Sequence, residues 1–249
     1  MHFQKYADIS YRAFVFSNRQ DDIVSRKTEI LDSIYRYYNL DPASILFVGF
    51  NPAILKCRAT TIYVTEIGEE VNDWLISQGV KFRYIPSESI GNLSVDCVIA
   101  TDEYFTFAST DQEQRDLVDN ICGLAEELVI TTLRDYKNQD FKEREFSSPA
   151  IVRNEQDYRI YFEFNNVDLV DRNLSSRTVY EITPDDVQIH QCFACRNMYF
   201  KQLAKFSMDA GAREFLVHKN LMYKSLIKKN YEHVISIKFE QNGGHNQPT

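Results

Sequence analysis

Glycine is scarce in this chain, with 8 in 249 residues. This scarcity, together with 13% aromatic residues, excludes a low-complexity or disordered chain apart from the tail at 241–249. No apolar run approaches the about 20 residues that cross a bilayer. The opening MHFQKYADIS also lacks the basic and apolar regions of a signal peptide. We therefore expect a globular, cytoplasmic protein with no membrane partner.

Several catalytic motifs are missing as well. The chain has no Gly-x-Ser-x-Gly elbow, no phosphate loop ending in Gly-Lys-Ser/Thr and no His-Glu-x-x-His motif. The corresponding hydrolase, nucleotide-binding and metalloprotease templates therefore do not apply. The cysteines number five, and an odd count scattered through a long chain favours reduced thiols.

Charge is unevenly distributed along the chain. The net charge is −8, yet the segment 196–239 contains nine Lys or Arg against three acids and is therefore basic by +6. One interpretation is that this segment faces a different partner from the acidic body. The other is that it is an ordinary solvated helix surface.

The stretch from Ser44 to Ile67 organises the rest of the chain. Apolar runs at 45–48 and 62–64 are typical of parallel strands that are covered on both faces. Gly49 and Glu66 follow directly after these two strands. Ligands of open α/β sheets bind outside the carboxyl ends of the strands, where an acid after the second strand can accept hydrogen bonds from a ribose. The stretch therefore predicts a site for a nucleoside-bearing ligand.

Strand and helix patterns alternate on either side of this stretch. Residues 1–18 predict a short strand or a packing arm, and Asp21 or Asp22 is the expected cap of the helix that follows it. Later elements, in order, are a helix at 69–77, a strand at 81–85, a strand at 95–100, a helix at 111–127 and a strand at 128–133. Short connections between these elements favour parallel strands.

The pattern changes after residue 133. Runs at 159–164 and 177–182 alternate without a helix between them, which indicates an antiparallel pair added to the sheet. From 185 to about 229 the sequence reads as helical, and 233–239 predicts a last strand.

This order of elements resembles the class I S-adenosylmethionine-dependent methyltransferase family over about 44–186. In that family the turn after the first strand reads acid-x-Gly-x-Gly-x-Gly. Here Gly49 matches the first glycine, whereas Phe47, Asn51 and Ala53 replace the acid and the other two glycines. Because the second and third glycines are absent, a nicotinamide cofactor is disfavoured. The resemblance implies S-adenosylmethionine as the cofactor.

The resemblance also implies a fold and a domain plan. The fold is α/β, with a Rossmann-like, doubly wound, mostly parallel sheet, helices on both faces, an added antiparallel pair and a helical C-terminal segment. The segments are an N-terminal helical cap at 1–43, the methyltransferase-type domain at 44–186, the helical segment at 187–240 and a flexible tail at 241–249.

Site residues follow from the same resemblance. The expected cofactor-binding residues are Gly49, Asn51, Glu66, Ile67, Ser87 and Glu88. After the fourth strand, Asp102 or Glu103 is the expected base, and Tyr104 is expected to stack on a planar acceptor. The structural alternatives are that Asp102 caps the next turn and that Tyr104 belongs to the core.

A metal site at His190, Cys192 and Cys195 is a separate hypothesis. Structural zinc needs four ligands, usually in two close pairs, and no second pair exists in the chain. We therefore predict no metal here, and expect buried thiols on a helix that packs against the sheet.

Two function classes remain open at this stage. One is a methyltransferase that acts on an unidentified acceptor, either a small molecule or one of unknown class. The other is a non-catalytic Rossmann-like scaffold that binds its partner through a basic helical face within 196–229. The lysines expected on that face are Lys201, Lys205, Lys219, Lys224, Lys228 and Lys229. The whole chain is acidic, so self-association or a small acceptor ranks above nucleic acid as the partner.

Overall fold

The computed structural model describes residues 2–134, 144–168, 170–171, 173–227 and 231–240. Within these residues, five α-helices accompany twelve strands in two sheets. The helices are α1 (His2–Phe16), α2 (Gln20–Tyr38), α3 (Glu69–Ser77), α4 (Asp111–Leu124) and α5 (Phe200–Asp209). The strands are β1 (Ser44–Val48), β2 (Thr61–Thr65), β3 (Arg83–Tyr84), β4 (Val95–Ala100), β5 (Ala125–Leu133), β6 (Arg144–Phe146), β7 (Ala150–Arg153), β8 (Tyr158–Val167), β9 (Leu174–Ile182), β10 (Val187–Arg196), β11 (Glu214–Lys224) and β12 (Tyr231–Lys238).

The main sheet has seven strands in the order β11-β12-β5-β4-β1-β2-β3. The five strands from β5 to β3 are parallel, whereas β12 and β11 are antiparallel. β1 and β4 are buried almost throughout, as expected of central parallel strands that are covered on both faces. The predicted fold class, an α/β protein with a mostly parallel sheet, is confirmed.

The N-terminal segment is a helix, so the expectation of a short strand or packing arm is wrong. α1 places Phe3, Tyr11 and Phe14 in the main core, and it places Tyr6 and Ile9 in a second cluster beneath the other sheet. Its buried residues are thus divided between two contact surfaces, one against each cluster. For α2, the N-cap position belongs to Arg19, and the two predicted cap aspartates lie in the first turn.

The predicted antiparallel pair exists as β8 and β9, but it belongs to a separate sheet. That sheet has the order β10-β9-β8-β6, and β7 also pairs with β8. Alternation reveals that one face of a strand is buried, and it carries no information about which sheet the strand joins.

The predicted helical C-terminal segment is wrong. Apart from α5, the described part of 187–240 is mainly strand: β10, β11 and β12. Both β10 and β11 carry register shifts, which interrupt their alternation. The basic face is accordingly split, because Lys201 and Lys205 lie on α5 and Lys219 and Lys224 lie on β11. Lys228, Lys229 and the tail at 241–249 lie outside the described residues.

A buried cluster of charges connects the two sheets. Nε of Arg134, just after β5, lies 3.0 Å from a carboxylate oxygen of Glu103, and its Nη2 donates a 2.9 Å hydrogen bond to Glu163 of β8. Arg177 of β9 approaches the same Glu103 oxygen at 3.3 Å. Tyr6 of α1 donates its hydroxyl hydrogen to Glu163 over 2.6 Å. The cluster thus joins the main sheet, the second sheet and α1.

A second polar contact holds α1 against the second sheet. Burial alone would raise the pKa of Glu181 on β9, but hydrogen bonds with His190 and Tyr161 and the charges of Arg159 and Arg12 outweigh this effect and lower the pKa to about 2. Arg12 belongs to α1, and its Nε lies 4.0 Å from a Glu181 oxygen.

We expect Arg134→Leu to destabilise the protein by about 3–5 kcal/mol, because the change removes a counter-charge from two buried carboxylates, Glu103 and Glu163. The measurement is urea unfolding followed by circular dichroism. Arg115→Leu is the matched control, since Arg115 pairs with Asp209 at a half-exposed site and should cost about 1 kcal/mol or less. Equal losses in the two variants would show that the cluster contributes no more than a surface ion pair.

Candidate functional site

The turn after β1 is shaped by Gly49. Its φ of 77° lies in the left-handed region, which glycine adopts without steric cost. A Cβ atom at this position would lie 2.5 Å from Cε1 of Phe3 and 3.2 Å from Cβ of Ala7. The ring of Phe3 therefore rests directly on the glycine backbone, and α1 covers this turn.

Asn51 fixes the chain that leaves this turn. Its Oδ1 accepts a 3.0 Å hydrogen bond from the Ala53 amide and so caps the 3₁₀ turn Pro52–Lys56. Its Nδ2 donates to Oγ1 of Thr101, at the end of β4, over 3.2 Å. The predicted binding residue Asn51 thus ties together the carboxyl ends of the two neighbouring strands β1 and β4.

Glu66 lies just past β2 with an unusual backbone and one unsatisfied oxygen. Its φ is 55°, in the left-handed region. Ser87 donates its hydroxyl hydrogen to Oε1 over 2.7 Å. Oε2 is buried and accepts no hydrogen bond from the described residues. A buried acceptor without a donor is costly, so this oxygen is available to a ligand donor.

The other residues predicted near Glu66 differ in exposure. Ile67 is buried, and its carbonyl oxygen accepts a 3.1 Å hydrogen bond from Nε2 of Gln4. Glu88 is exposed on the 3₁₀ turn Ser87–Asn92.

Backbone strain concentrates at the ends of β2 and β4. Within the described residues, four non-glycine residues have positive φ, and three of them are Glu66, Asp102 and Glu103. A non-glycine residue in such a conformation costs about 1–3 kcal/mol and persists where the surrounding structure enforces it, often at functional sites. Asp102 and Glu103 are the two strained residues after β4, and their side chains contact different partners.

Asp102 is held by a tyrosine from a distant strand. Tyr223 of β11 donates its hydroxyl hydrogen to Oδ2 of Asp102 at 3.2 Å, and the same hydroxyl lies 3.1 Å from Oγ1 of Thr101. Burial and the nearby Asp102 raise the pKa of Tyr223, so its hydroxyl stays protonated at neutral pH. Sequence reasoning missed Tyr223 because it lies 121 residues away on a segment that reads as helical.

Glu103 and Tyr104 are surrounded by buried residues of the charge cluster and of the core. Glu103 is completely buried and forms ion pairs with Arg134 and Arg177. The expectation that it acts as a base does not fit this geometry. Tyr104 is buried, and its ring contacts Phe3 edge-on at 4.8 Å. Burial and the nearby Glu66 carboxylate raise its pKa, so Tyr104 is both a core residue and a neighbour of the site.

α1 covers the carboxyl ends of β1 and β2 through polar contacts as well as apolar ones. Oδ1 of Asp8 accepts a 2.9 Å hydrogen bond from the Gly68 amide, immediately after the Glu66 turn. Burial raises the pKa of Asp8, and the hydrogen bond from Gly68 partly offsets that effect. No local sequence signal marks Asp8 as a partner of a turn 60 residues away.

The His190 and Cys195 segment lies on β10, so the expected helix is wrong. Cys195 is fully buried, and His190 contacts Glu181 at 3.1 Å. The side chain of Cys192 lies outside the described set. Among the described side chains, no cluster of three or more His, Cys, Asp and Glu is arranged to hold a metal ion.

The described helices are also too short or too polar to traverse a bilayer.

Comparisons with known proteins identify the fold. No protein-family model and no curated protein sequence matches this chain. Solved structures do match. DesVI from Streptomyces venezuelae superposes with a TM-score of 0.68 at 12% identity, over 94% of this chain and 98% of that one. An S-adenosylmethionine-dependent methyltransferase from Clostridium acetobutylicum gives 0.64 at 11% identity, over 86% and 91%.

A third match is CalS10 from Micromonospora echinaspora, described as an amino pentose methyltransferase with S-adenosylmethionine bound. Its TM-score is 0.62 at 11% identity, over 94% of this chain and 96% of that chain. At such identities the likeness establishes the fold alone. This chain has the class I, Rossmann-like fold of S-adenosylmethionine-dependent methyltransferases.

We expect Gly49→Ala to destabilise the protein by at least about 1–2 kcal/mol, because alanine is strained in the left-handed region. Its methyl group also meets Phe3, so the docking of α1 should weaken in particular. Hydrogen exchange of the α1 amides should therefore accelerate more than exchange in β4. Gly91→Ala is the control, because a Cβ there meets nothing within 4 Å. Unchanged α1 protection in Gly49→Ala would contradict the close contact.

Proposed function

We propose that the protein is an S-adenosylmethionine-dependent methyltransferase that acts on a small-molecule acceptor. The observation that carries this proposal is Oε2 of Glu66, which is buried, without a hydrogen-bond donor from the described residues, and placed at the carboxyl end of β2. A carboxylate at this point of the fold suits the hydroxyl groups of a ribose.

The chain's own residues fit the adenosine part of the cofactor. Ser87 holds one oxygen of Glu66, so the other is fixed in direction before any ligand arrives. The left-handed backbone of Glu66 keeps the carboxylate at the strand end. Buried Ile67 follows and supplies an apolar neighbour for the adenine. When bound, the cofactor supplies an activated methyl group.

Asp102 is the proton acceptor in this proposal. Tyr223 donates to one of its oxygens, while Asn51 and Tyr223 both engage Thr101, so a hydrogen-bonded chain fixes the carboxylate. Methyl transfer from a sulfonium is an in-line displacement that depends mainly on alignment, and a fixed carboxylate can remove the proton that an amine or hydroxyl acceptor loses. Glu103 holds the turn in place through its arginine partners.

Entry of the cofactor requires the Phe3 side chain to move. Phe3 occupies the space over Gly49, where the methionine part of the cofactor approaches the turn in this fold. Binding must therefore displace an aromatic side chain from an apolar contact, and part of the intrinsic affinity offsets that displacement.

The alternative function is a non-catalytic scaffold with the same fold. It is favoured by the filled space over Gly49 and by Phe47, Asn51 and Ala53, which stand where an acid and two glycines are typical of the family. On this alternative Phe3 is a permanent part of the core.

Titration calorimetry with S-adenosylmethionine and with its demethylated product tests the proposal. Glu66→Ala should weaken binding by about 1.5–3 kcal/mol, or about 10- to 150-fold in Kd, because a charged acceptor of the ribose is lost. Glu69→Ala is the control, since Glu69 is exposed in the first turn of α3. An affinity that Glu66→Ala leaves unchanged would contradict the assigned ribose contact.

Phe3→Ala distinguishes a movable cover from a permanent core residue. It should tighten cofactor binding several-fold, because the ligand no longer competes with the phenylalanine ring for the space over Gly49. Val15→Ala, which changes a more exposed residue of the same helix, should leave the affinity unaltered. Absence of binding in the parent and in Phe3→Ala alike would refute the methyltransferase and favour the scaffold.

A further inference from the structure

A lysine is buried beside the ring of Tyr223. Lys27 belongs to α2 and is only 6% exposed. Its ammonium nitrogen lies 2.8 Å from the centroid of the Tyr223 ring and donates a 2.7 Å hydrogen bond to the carbonyl oxygen of Lys224. Lysine is almost never buried so completely unless its charge interacts with other groups. A side chain that only filled space at this point would not need a charge.

The Tyr223 ring connects this ammonium group with Asp102. Its hydroxyl group donates to Oδ2 of Asp102 over 3.2 Å and lies 3.1 Å from Oγ1 of Thr101. One side chain thus has a cation against its ring and a carboxylate at its hydroxyl group. The cation comes from α2, the ring from β11 and the carboxylate from the turn after β4, so the three groups meet only in the folded protein.

The cation and the hydroxyl group influence each other through the ring. A cation over an aromatic face attracts the electron density of the ring. The phenol hydrogen becomes more positive as a result, and the hydroxyl group becomes a stronger donor. Because the acceptor is a carboxylate, the hydrogen bond is charge-assisted and therefore strong. Lys27 thus strengthens, through Tyr223, the bond that holds Asp102.

Other titratable groups also act on this pair. Burial raises the pKa of Tyr223 most, and the carboxylates of Asp102 and Glu232 raise it further. Asp102 also contributes to the raised pKa of Tyr6 on α1, where burial is again the main cause. Both carboxylates are buried, and like charges disfavour the ionised form of each other, whereas an opposite charge favours it. The Lys27 ammonium group places such an opposite charge at the same ring.

Lys27 also determines where the tyrosine lies. β11 has a register shift between His218 and Met222, just before Tyr223. A shift of this kind bends a strand and redirects the side chains that follow it. The hydrogen bond from Lys27 to the carbonyl of Lys224 holds the strand after the shift against α2. Tyr223 is therefore fixed through the neighbouring backbone as well as through its ring.

We propose that Lys27 is a positioning residue for Asp102 and that it acts through Tyr223. It keeps the Asp102 carboxylate ionised and in place, ready to take up the proton that an amine or hydroxyl acceptor releases when it is methylated. The inference rests on the proposed methyltransferase function, which gives the ionised form of Asp102 its use. Lys27 itself contacts neither cofactor nor acceptor in this proposal.

Carbon-13 NMR of the aspartate carboxyl groups tests this role without cofactor or acceptor. Asp102→Asn assigns the Asp102 signal. In Lys27→Met the pH at the midpoint of the Asp102 titration should rise by at least about 0.5, because the carboxylate loses the influence of a nearby positive charge. Lys27→Gln should have the same effect, and it retains a donor for the Lys224 carbonyl, so the result does not rest on one variant. Lys27→Arg should restore most of the parent behaviour, since a guanidinium group also stacks on an aromatic ring.

Tyr223→Phe separates the electrostatic role from packing, because it keeps the ring and removes only the hydroxyl group. It should raise the midpoint for Asp102, and in this background Lys27→Met should have a much smaller effect than in the parent. Lys238→Met is the matched control, since Lys238 is a partly buried lysine that pairs with Glu127 at the other end of β12. It should leave the midpoint unchanged. Thermal unfolding verifies that each variant is folded.

Two results would overturn the proposal. If Lys27→Met and Lys27→Gln leave the Asp102 midpoint at the parent value, Lys27 only attaches β11 to α2. If Lys27→Met has the same effect with and without the Tyr223 hydroxyl group, Lys27 does not act through Tyr223. The calorimetric test of cofactor binding is separate, because absence of binding refutes the methyltransferase and does not alter the titration of Asp102.

Discussion

The structure depends on neutralising two carboxylates that are completely buried, those of Glu103 and Glu163. Arg134, at the end of β5, pairs with Glu103 within the main sheet. The pairs of Arg134 with Glu163 of β8 and of Arg177 of β9 with Glu103 form only when the second sheet is correctly placed on the main sheet. The same pairs hold Glu103 in its strained left-handed conformation. The preceding residue, Asp102, is buried as well and accepts a hydrogen bond from Tyr223 of β11, so the two consecutive acids of this turn are held by different elements.

The parts of the fold that could be predicted are those whose burial is decided locally. β4 and α3 have the predicted bounds, because a short apolar run between turn residues and a helical stripe ended by a glycine leave few alternatives. β10 and β11 could not be recognised. Their register shifts break the period of two, and β11 is an edge strand whose side chains are mostly half-exposed, so the sequence carries no clear alternation.

The candidate site likewise contains residues that could be placed from the sequence and residues that could not. Gly49, Glu66 and Ser87 could be placed from the sequence because parallel strands bring their carboxyl ends to one edge, and the structure joins Glu66 to Ser87 as a direct hydrogen bond. Phe3 and Tyr223 could not be placed, because each reaches the site from a distant element. The sequence therefore predicts which strand ends lie together, and it does not predict which distant residues cover or contact them.

The position of α1 also sets the order in which the molecule can assemble. Tyr6 bonds to Glu163, a partner 157 residues later in the chain. At about 5–20 residues per second of synthesis, α1 waits roughly 8–30 s for that partner to be made. The contacts of α1 with Gly49 and Gly68 need only the first 68 residues, so α1 can cover these strand ends early. Its bond to Glu163 forms only after β8 has been made, so docking of the second sheet on α1 is the later step.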